Sequence, residues 1–322
     1  MVRSAFFKRL VDQRDHFRMV NVVQPADGAG QITRANDDAV EIRHLQNAVQ
    51  ILHRADIFHL HEPALALGVL GDEFAQILAA IVAGAAGRAA VISGGQSATE
   101  FEQQVREVAS IAATGPAAVV LLTNQFAAEN EDDELWWKNF SALLARIPED
   151  ITLGLYECPY PYKRVISPEL LRRCADTGRV ALMKDTCCDA SLIRAKLAAL
   201  EGTDFKLFNA NTATLLDSLK AGAKGYSGVM ANFHPDLYVW LCGNFSKHPR
   251  EASLLEDFLT MASYIEKQYY PVNAKYALSR KGIMGTQTRT KDPAGMTDTF
   301  RLEVDQLMEI SEEISRQLPL IR

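Results

Sequence analysis

The sequence predicts an α/β protein, a (β/α)8 TIM barrel with a C-terminal helical extension. Three observations predict it. Short apolar runs alternate with helical patterns from Met19 to Val229, which is the signature of a parallel sheet. The alternation repeats eight times, the number at which such a sheet closes, typically in about 250 residues. Neither G-x-G-x-x-G nor a P-loop stands between a strand and a helix, so the usual mark of a doubly wound nucleotide-binding sheet is missing.

Each element has its own signal. Residues 2–17 have the spacing of an amphipathic lead-in helix, and Met19 to Val23 form the first buried strand. After the turn ADGAGQ, helical spacing through Val40, Leu45, Val49 and Leu52 predicts a helix over 37–54. Strands follow at 56–60 and 89–92, separated by a helix over 72–85. SGGQSATE ends the third strand with a glycine turn, and Ser97 and Glu100 have capping-box spacing before a helix that reaches Ala113. The fourth strand is 117–122; the acidic run 129–134 then leads into a helix carrying Trp136, Trp137, Phe140 and Leu144.

Strands at 152–156 and 180–183 flank a helix with Ser167 as N-cap, Pro168 at its first position and Gly178 just past its end. A helix over 192–200, a strand over 205–208, a helix over 212–220 and a strand over 225–229 complete the barrel. The segment from Pro249 to Arg322 is helical without a strand pattern. The expected division is therefore a barrel over 1–248 and a helical extension over 249–322.

Charge and cysteine usage narrow the function. With Lys+Arg 34 against Asp+Glu 40, a formal charge of -6 gives no basic surplus for nucleic acid or an anionic membrane. No run of about 18 apolar residues marks a membrane span, and the amino terminus scatters charges where a signal peptide has an uninterrupted apolar stretch. The five cysteines are odd in number and contain no C-x-x-C pair, which indicates neither a disulfide framework nor a zinc site. A soluble cytoplasmic protein with a small-molecule partner is expected.

Two apolar runs end on reactive side chains, Tyr156 and Lys184. In a parallel barrel both stand at the carboxyl ends of neighbouring strands, where chemistry is placed. Apolar walls disfavour the charged form of an amine and make Lys184 a nucleophile toward a ketone or aldehyde. A phenol one strand away can relay the protons. Taken alone, Lys184 also fits a lysine that reaches solvent or pairs with Asp185, and Tyr156 also fits a core residue with a bonded hydroxyl. Their combination favours the chemistry.

Rival sites have weaker patterns. His59, His61 and Glu62 offer an H-x-H at a strand end, but a barrel metal centre needs later ligands and only His234 and His248 follow. No metal and no cofactor are expected. Cys187 and Cys188 lack a histidine partner, so packing is favoured over a thiol nucleophile.

The motifs Tyr156-Glu157-Cys158-Pro159 and Met183-Lys184-Asp185-Thr186, 28 residues apart from Tyr156 to Lys184, resemble those of the dihydrodipicolinate synthase and N-acetylneuraminate lyase family of class I aldolases. SGGQSATE, AGAKGYSGVMAN and PVNAKYALSRKGI extend the likeness over residues 17–310. The resemblance implies a Schiff-base lyase with Lys184 and Tyr156 catalytic, and a homodimer or homotetramer. It implies a substrate-binding set of Glu62, Pro63, Phe126, Thr186 and Ser227.

The departures change the expected substrate. Where the family has G-T-T-G-E, this chain has His61-Glu62-Pro63-Ala64-Leu65. Glu62 repels a substrate carboxylate unless protonated, and Pro63 has no amide hydrogen to donate. Phe126 stands where the family places a proton-relay tyrosine, and Pro161 where synthases place an arginine for aspartate semialdehyde. The expected function is a lyase acting on a 2-oxo acid or a related aldehyde or sugar acid by aldol cleavage, condensation or dehydration, and not lysine biosynthesis. The alternative is a degenerate barrel that binds a small molecule or regulates without turnover.

Overall fold

The computed structural model describes residues 19–22, 57–60, 67–94, 96, 98–286, 288 and 291–318. Glu62, Pro63, His61 and the helices expected over 2–17 and 37–54 lie outside the described residues. Eight parallel strands form one sheet: β1 Met19–Val22, β2 Ile57–Leu60, β3 Ala90–Gly94, β4 Ala118–Leu122, β5 Leu153–Tyr156, β6 Val180–Asp185, β7 Lys206–Asn209 and β8 Gly225–Tyr226. The order is β2-β1-β3-β4-β5-β6-β7-β8. From β3 onward it follows the chain, as a barrel requires. β1 stands between β2 and β3, so the first two strands are exchanged relative to strict chain order. Both run parallel to their neighbours, and either order satisfies the ladder hydrogen bonds. β2 lies against the turn Val229–Asn232 that follows β8, which brings the two ends of the sheet together.

The described barrel helices are α1 Leu67–Ala85, α2 Phe101–Ala113, α3 Asp133–Leu144, α4 Pro168–Asp176, α5 Ala190–Ala199 and α6 Leu215–Lys220. The Ser167 side chain accepts the Leu170 amide at 3.2 Å, Pro168 stands in the first turn of α4, and Gly178 takes φ +66 beyond its end. That is the start and stop chemistry read from the sequence. α3 is capped by Asp132, whose Oδ1 accepts the Leu135 amide at 2.8 Å; its first-turn acids, Asp133 and Glu134, suit the positive helix start. α2 departs from expectation. It begins at Phe101 with Glu100 itself as N-cap and no side-chain cap bond, because the turn before it is held from within the helix. Gln104 Nε2 donates to the Ala98 carbonyl at 2.8 Å, and Glu107 Oε2 accepts the Ala98 amide at 3.2 Å.

Alternation along the strands separates two apolar layers. Val119, Leu121, Leu153, Leu155, Met183 and Leu207 face outward into the core beneath the helices. Val120, Leu122, Tyr156, Leu182 and Phe208 face the lumen. Trp136 is the largest outer anchor: it is fully buried, stacks on Phe140, and donates its indole N–H to the Thr123 carbonyl at 2.7 Å. A buried tryptophan of that size contributes about 4–6 kcal/mol of transfer free energy. Trp136→Ala should therefore lower the unfolding free energy by about 3–5 kcal/mol in urea titration.

Beyond β8 run α7 Pro235–Asn244, α8 Pro249–Ala262, α9 Val272–Arg280 and α10 Asp298–Gln317. One apolar cluster joins Tyr226, Leu237, Leu241, Leu255, Leu259, Ala277 and Val304, so these helices share a core with the last strand. His234 is buried in this layer, with Nδ1 2.9 Å from Ser311 Oγ. Burial, reinforced by nearby Lys281, lowers its pKa to about 3. From its ordinary value of 6.5 down to about 3, the unfolded chain binds a proton that the folded chain does not. Its contribution to stability therefore falls as pH falls through that window, by at most about 1.4 kcal/mol per unit. His234→Asn should flatten the pH dependence of unfolding between pH 6 and 4.

Among the described residues no helix is long and apolar enough to cross a membrane.

Candidate active site

The parallel register of β5 and β6 sets Tyr156 directly beside Lys184. Both are buried, at 2% and 5% exposure, and the Lys184 Nζ lies 4.4 Å from the centroid of the Tyr156 ring. The pair points into the lumen, among Ile92, Val120, Leu122, Cys158, Leu182 and Phe208. Gly154 keeps that space open: a Cβ there would meet Leu182 Cδ1 at 2.7 Å.

The electrostatics follow from this apolar wall. Burial lowers the Lys184 pKa from 10.5 to about 7, against the smaller opposing pull of Cys158 and Glu266. A cation above an aromatic face gains some stabilisation, but desolvation outweighs it. Near neutrality about half of the amine is therefore uncharged, where an exposed lysine is almost wholly protonated. Asp185 does not neutralise Lys184. Its carboxylate points behind the sheet and binds Lys196 Nζ at 2.6 Å.

Glu266 is a group that the sequence pattern did not reveal. It stands in the turn Ser263–Lys267 of the extension, and its pKa is raised to about 7 by burial, despite the pull of Lys184 and Lys267. Glu266 and Lys184 thus act on each other electrostatically while lying 82 residues apart in sequence (266 − 184). The available sequence signal was an acid inside an aromatic-rich stretch, SYIEKQYY, with no motif to give it a role.

The segment after Tyr156 is fixed to the end of β4. Asn124 Nδ2 donates to the carbonyls of Cys158, Tyr160 and Tyr162 at 3.2, 2.8 and 2.9 Å. Thr123 Oγ1 donates to the Arg164 carbonyl at 2.7 Å, and the Tyr162 hydroxyl to the Asn124 and Ala127 carbonyls at 2.7 and 2.6 Å. The two cations of this segment are also engaged. Lys163 Nζ donates to the Thr186 carbonyl at 2.6 Å, and Arg164 binds the Ala128 carbonyl at 3.1 Å and Asp133 at 2.8 Å.

Of the expected substrate-binding residues, Phe126 lies away from the reactive pair. Phe126 packs edge-on against Trp136 and Phe140 at 5.0 and 5.4 Å, in the outer core and not in the lumen cluster of Tyr156. The short helical turn Thr123–Gln125 after β4 directs its ring under α3. Thr186 is buried beside the lysine strand, its hydroxyl donating to the Glu157 carbonyl at 2.6 Å. Ser227 is buried just after β8, with its amide donating to the Asn209 carbonyl at 2.8 Å. Glu62 and Pro63 lie outside the described residues.

Of the rival H-x-H pattern, His61 and Glu62 lie outside the described residues. Among the described residues no three His, Cys, Asp or Glu side chains form a metal-binding group. The Cys187 thiol is pushed up to about 12 by burial and by Asp185, which keeps it protonated and unreactive near neutral pH.

Comparison with known proteins agrees with this architecture. The family model described as the dihydrodipicolinate synthetase family matches residues 70–310. A 4-hydroxy-tetrahydrodipicolinate synthase from Pseudomonas savastanoi pv. phaseolicola is 25% identical over 309 residues, covering 93% of this chain and 95% of the relative. One from Cereibacter sphaeroides is 26% identical over 250 residues, covering 74% and 80%. Among solved structures, the chloride-inhibited dihydrodipicolinate synthase from Acinetobacter baumannii complexed with pyruvate superposes with a TM-score of 0.71 at 19% identity, covering 92% of this chain and 99% of that one. Dihydrodipicolinate synthase from Thermotoga maritima gives 0.69 at 19% identity, covering 92% and 99%. These structures share the (β/α)8 barrel. With the lysine and tyrosine side by side in its lumen and a family match spanning most of its length, the chain belongs to the dihydrodipicolinate synthetase family as a divergent member.

Proposed function

We propose that the protein is a class I lyase in which Lys184 forms a Schiff base with a carbonyl substrate. The observation that carries this is the buried Lys184 amine, poised near neutrality, 4.4 Å from the Tyr156 ring. The neutral amine attacks the carbonyl carbon to give a carbinolamine, which loses water to become an imine. Removal of a proton from the neighbouring carbon gives an enamine, and that carbanion equivalent adds to an aldehyde or takes up a proton. Run in reverse, the same steps cleave a carbon–carbon bond; loss of a β-hydroxyl gives dehydration. Tyr156 supplies and receives protons at the carbinolamine and at the enamine. Glu266 is a second proton carrier matched to neutral pH.

The substrate class is a 2-oxo acid or a related aldehyde or sugar acid. Pyruvate is the first to test, because the Acinetobacter enzyme was solved with it. Synthesis of dihydrodipicolinate is disfavoured: Pro161 stands at the position of the synthase arginine, and Lys163 and Arg164 are held by backbone carbonyls and Asp133. Enamine formation has a direct readout. In D2O the enzyme should catalyse loss of the pyruvate methyl signal by deuterium exchange, and Lys184→Ala should not. Imine trapping without any exchange would support the second reading, a barrel that binds carbonyl compounds without turnover, which the outer-core position of Phe126 favours.

Homo-oligomer formation is supported by exposed apolar side chains on the extension, Leu254 at 61%, Met261 at 68% and Leu302 at 56%. Light scattering after size exclusion tests it. The free cysteines support a reducing, cytoplasmic setting.

A further inference from the structure

We propose that Lys196 is a positioning residue for the reactive pair, tying the chain just after Tyr156 to the chain just after Lys184 from behind the sheet. The inference rests on the Schiff-base role of Lys184. Strand alternation makes the juxtaposition: with Tyr156 and Lys184 turned to the lumen, the next residues, Glu157 and Asp185, turn outward toward α5. Lys196 on α5 meets both, its Nζ 2.6 Å from Glu157 Oε1 and 2.6 Å from Asp185 Oδ2, with all three side chains at 0% exposure.

Every carboxylate oxygen in this network is engaged. Glu157 Oε1 also accepts the Ile166 amide at 2.9 Å, and Oε2 the Thr186 amide at 2.9 Å. Asp185 Oδ1 accepts the Cys187 amide at 2.9 Å. The bonds therefore join the end of β5, the end of β6, the loop before α4, and α5. Any shift between the two strand ends must break several of them at once.

Energetics point to geometry and not to stability. Three buried ionisable groups cost more desolvation than apolar residues of the same volume. Burial opposes the Lys196 charge, yet the two carboxylates raise its pKa, so the ammonium is retained. Burial also raises the Glu157 pKa, against the attraction of Lys196. An expensive network set one residue from each reactive side chain fixes their separation, and small displacements there are costly to chemistry.

The test uses Glu157→Gln, Lys196→Met, and the charge-free triple variant Lys196→Met/Glu157→Gln/Asp185→Asn, each checked for folding by circular dichroism. The triple variant avoids the uncompensated buried carboxylates that can prevent Lys196→Met from folding. Two readouts are taken: the rate of borohydride trapping at saturating pyruvate, and the pH titration of Lys184 by acetic anhydride labelling and peptide mass. In the folded triple variant the trapping rate should fall roughly 10- to 100-fold. The Lys184 midpoint should rise by about one pH unit as loosened strand ends admit water. Removing the network's excess negative charge would by itself move the midpoint down, so the sign separates positioning from electrostatics. A folded triple variant with the wild-type rate and an unchanged or lower midpoint overturns the proposal. Wild-type protein that traps no carbonyl, yet has Lys184 titrating near 7, sinks the Schiff-base role and leaves the midpoint shift to decide the positioning role.

Discussion

Lys184→Met should abolish imine formation and at the same time make the protein more stable at pH 7. The buried amine has its pKa lowered from 10.5 to about 7. Between those values the unfolded chain holds a proton that the folded chain has released, so stability rises with pH across the window. The cost of burying Lys184 is fully present below about pH 7 and vanishes above about pH 10.5. Methionine has a similar length and no charge to desolvate. The expected gain at pH 7 is on the order of 1–4 kcal/mol, in keeping with the trade between activity and stability at reactive sites. Urea unfolding at pH 7 and pH 10 checks it: the gain should shrink at the higher pH. A variant that is less stable than the wild type at pH 7 would mean that the lysine is held charged by a partner.

Tyr156→Phe should lower the rate of pyruvate deuterium exchange by about 10²–10⁴-fold, the usual contribution of a positioned acid–base group. The ring stays in the lumen, so the apolar wall beside the Lys184 amine remains. The Lys184 titration should therefore stay near its wild-type midpoint while the rate collapses. That pairing distinguishes loss of a proton relay from loss of packing. A rate within a few-fold of wild type would transfer the relay to another group, with Glu266 the first to examine.

Much of this site was legible because its signals are local. The Ser167 cap, Pro168 and Gly178 bracket one helix, and the strands on either side end on Tyr156 and Lys184; the register of β5 and β6 then brings those two together. The period of alternating runs carried the barrel. What escaped depends on contacts between distant segments. Glu266 comes within electrostatic range of the lysine through the fold of the extension, and no pattern within SYIEKQYY encodes that. Nothing in the sequence marks Lys196; its role depends on Glu157 and Asp185 turning toward it from two separate strand ends.

Other expectations gave way to local packing. The capping box at Ser97 and Glu100 matched in spacing, but Gln104 and Glu107 hold the preceding turn and Glu100 becomes the cap. Phe126 occupied the aligned place of a relay tyrosine, yet its ring sits under α3 against Trp136. The exchange of β1 and β2 in the sheet has no counterpart in the sequence, since either order satisfies parallel pairing.

The central claim is that the Lys184 amine is the nucleophile, and covalent trapping tests it most directly. The protein is incubated with pyruvate and a panel of aldehydes and sugar acids, reduced with borohydride, and mapped by intact and peptide mass. The account predicts one stable secondary-amine adduct, located on the peptide containing Lys184 and absent from Lys184→Ala. An adduct confined to other lysines, or none with any carbonyl of the panel, would contradict it.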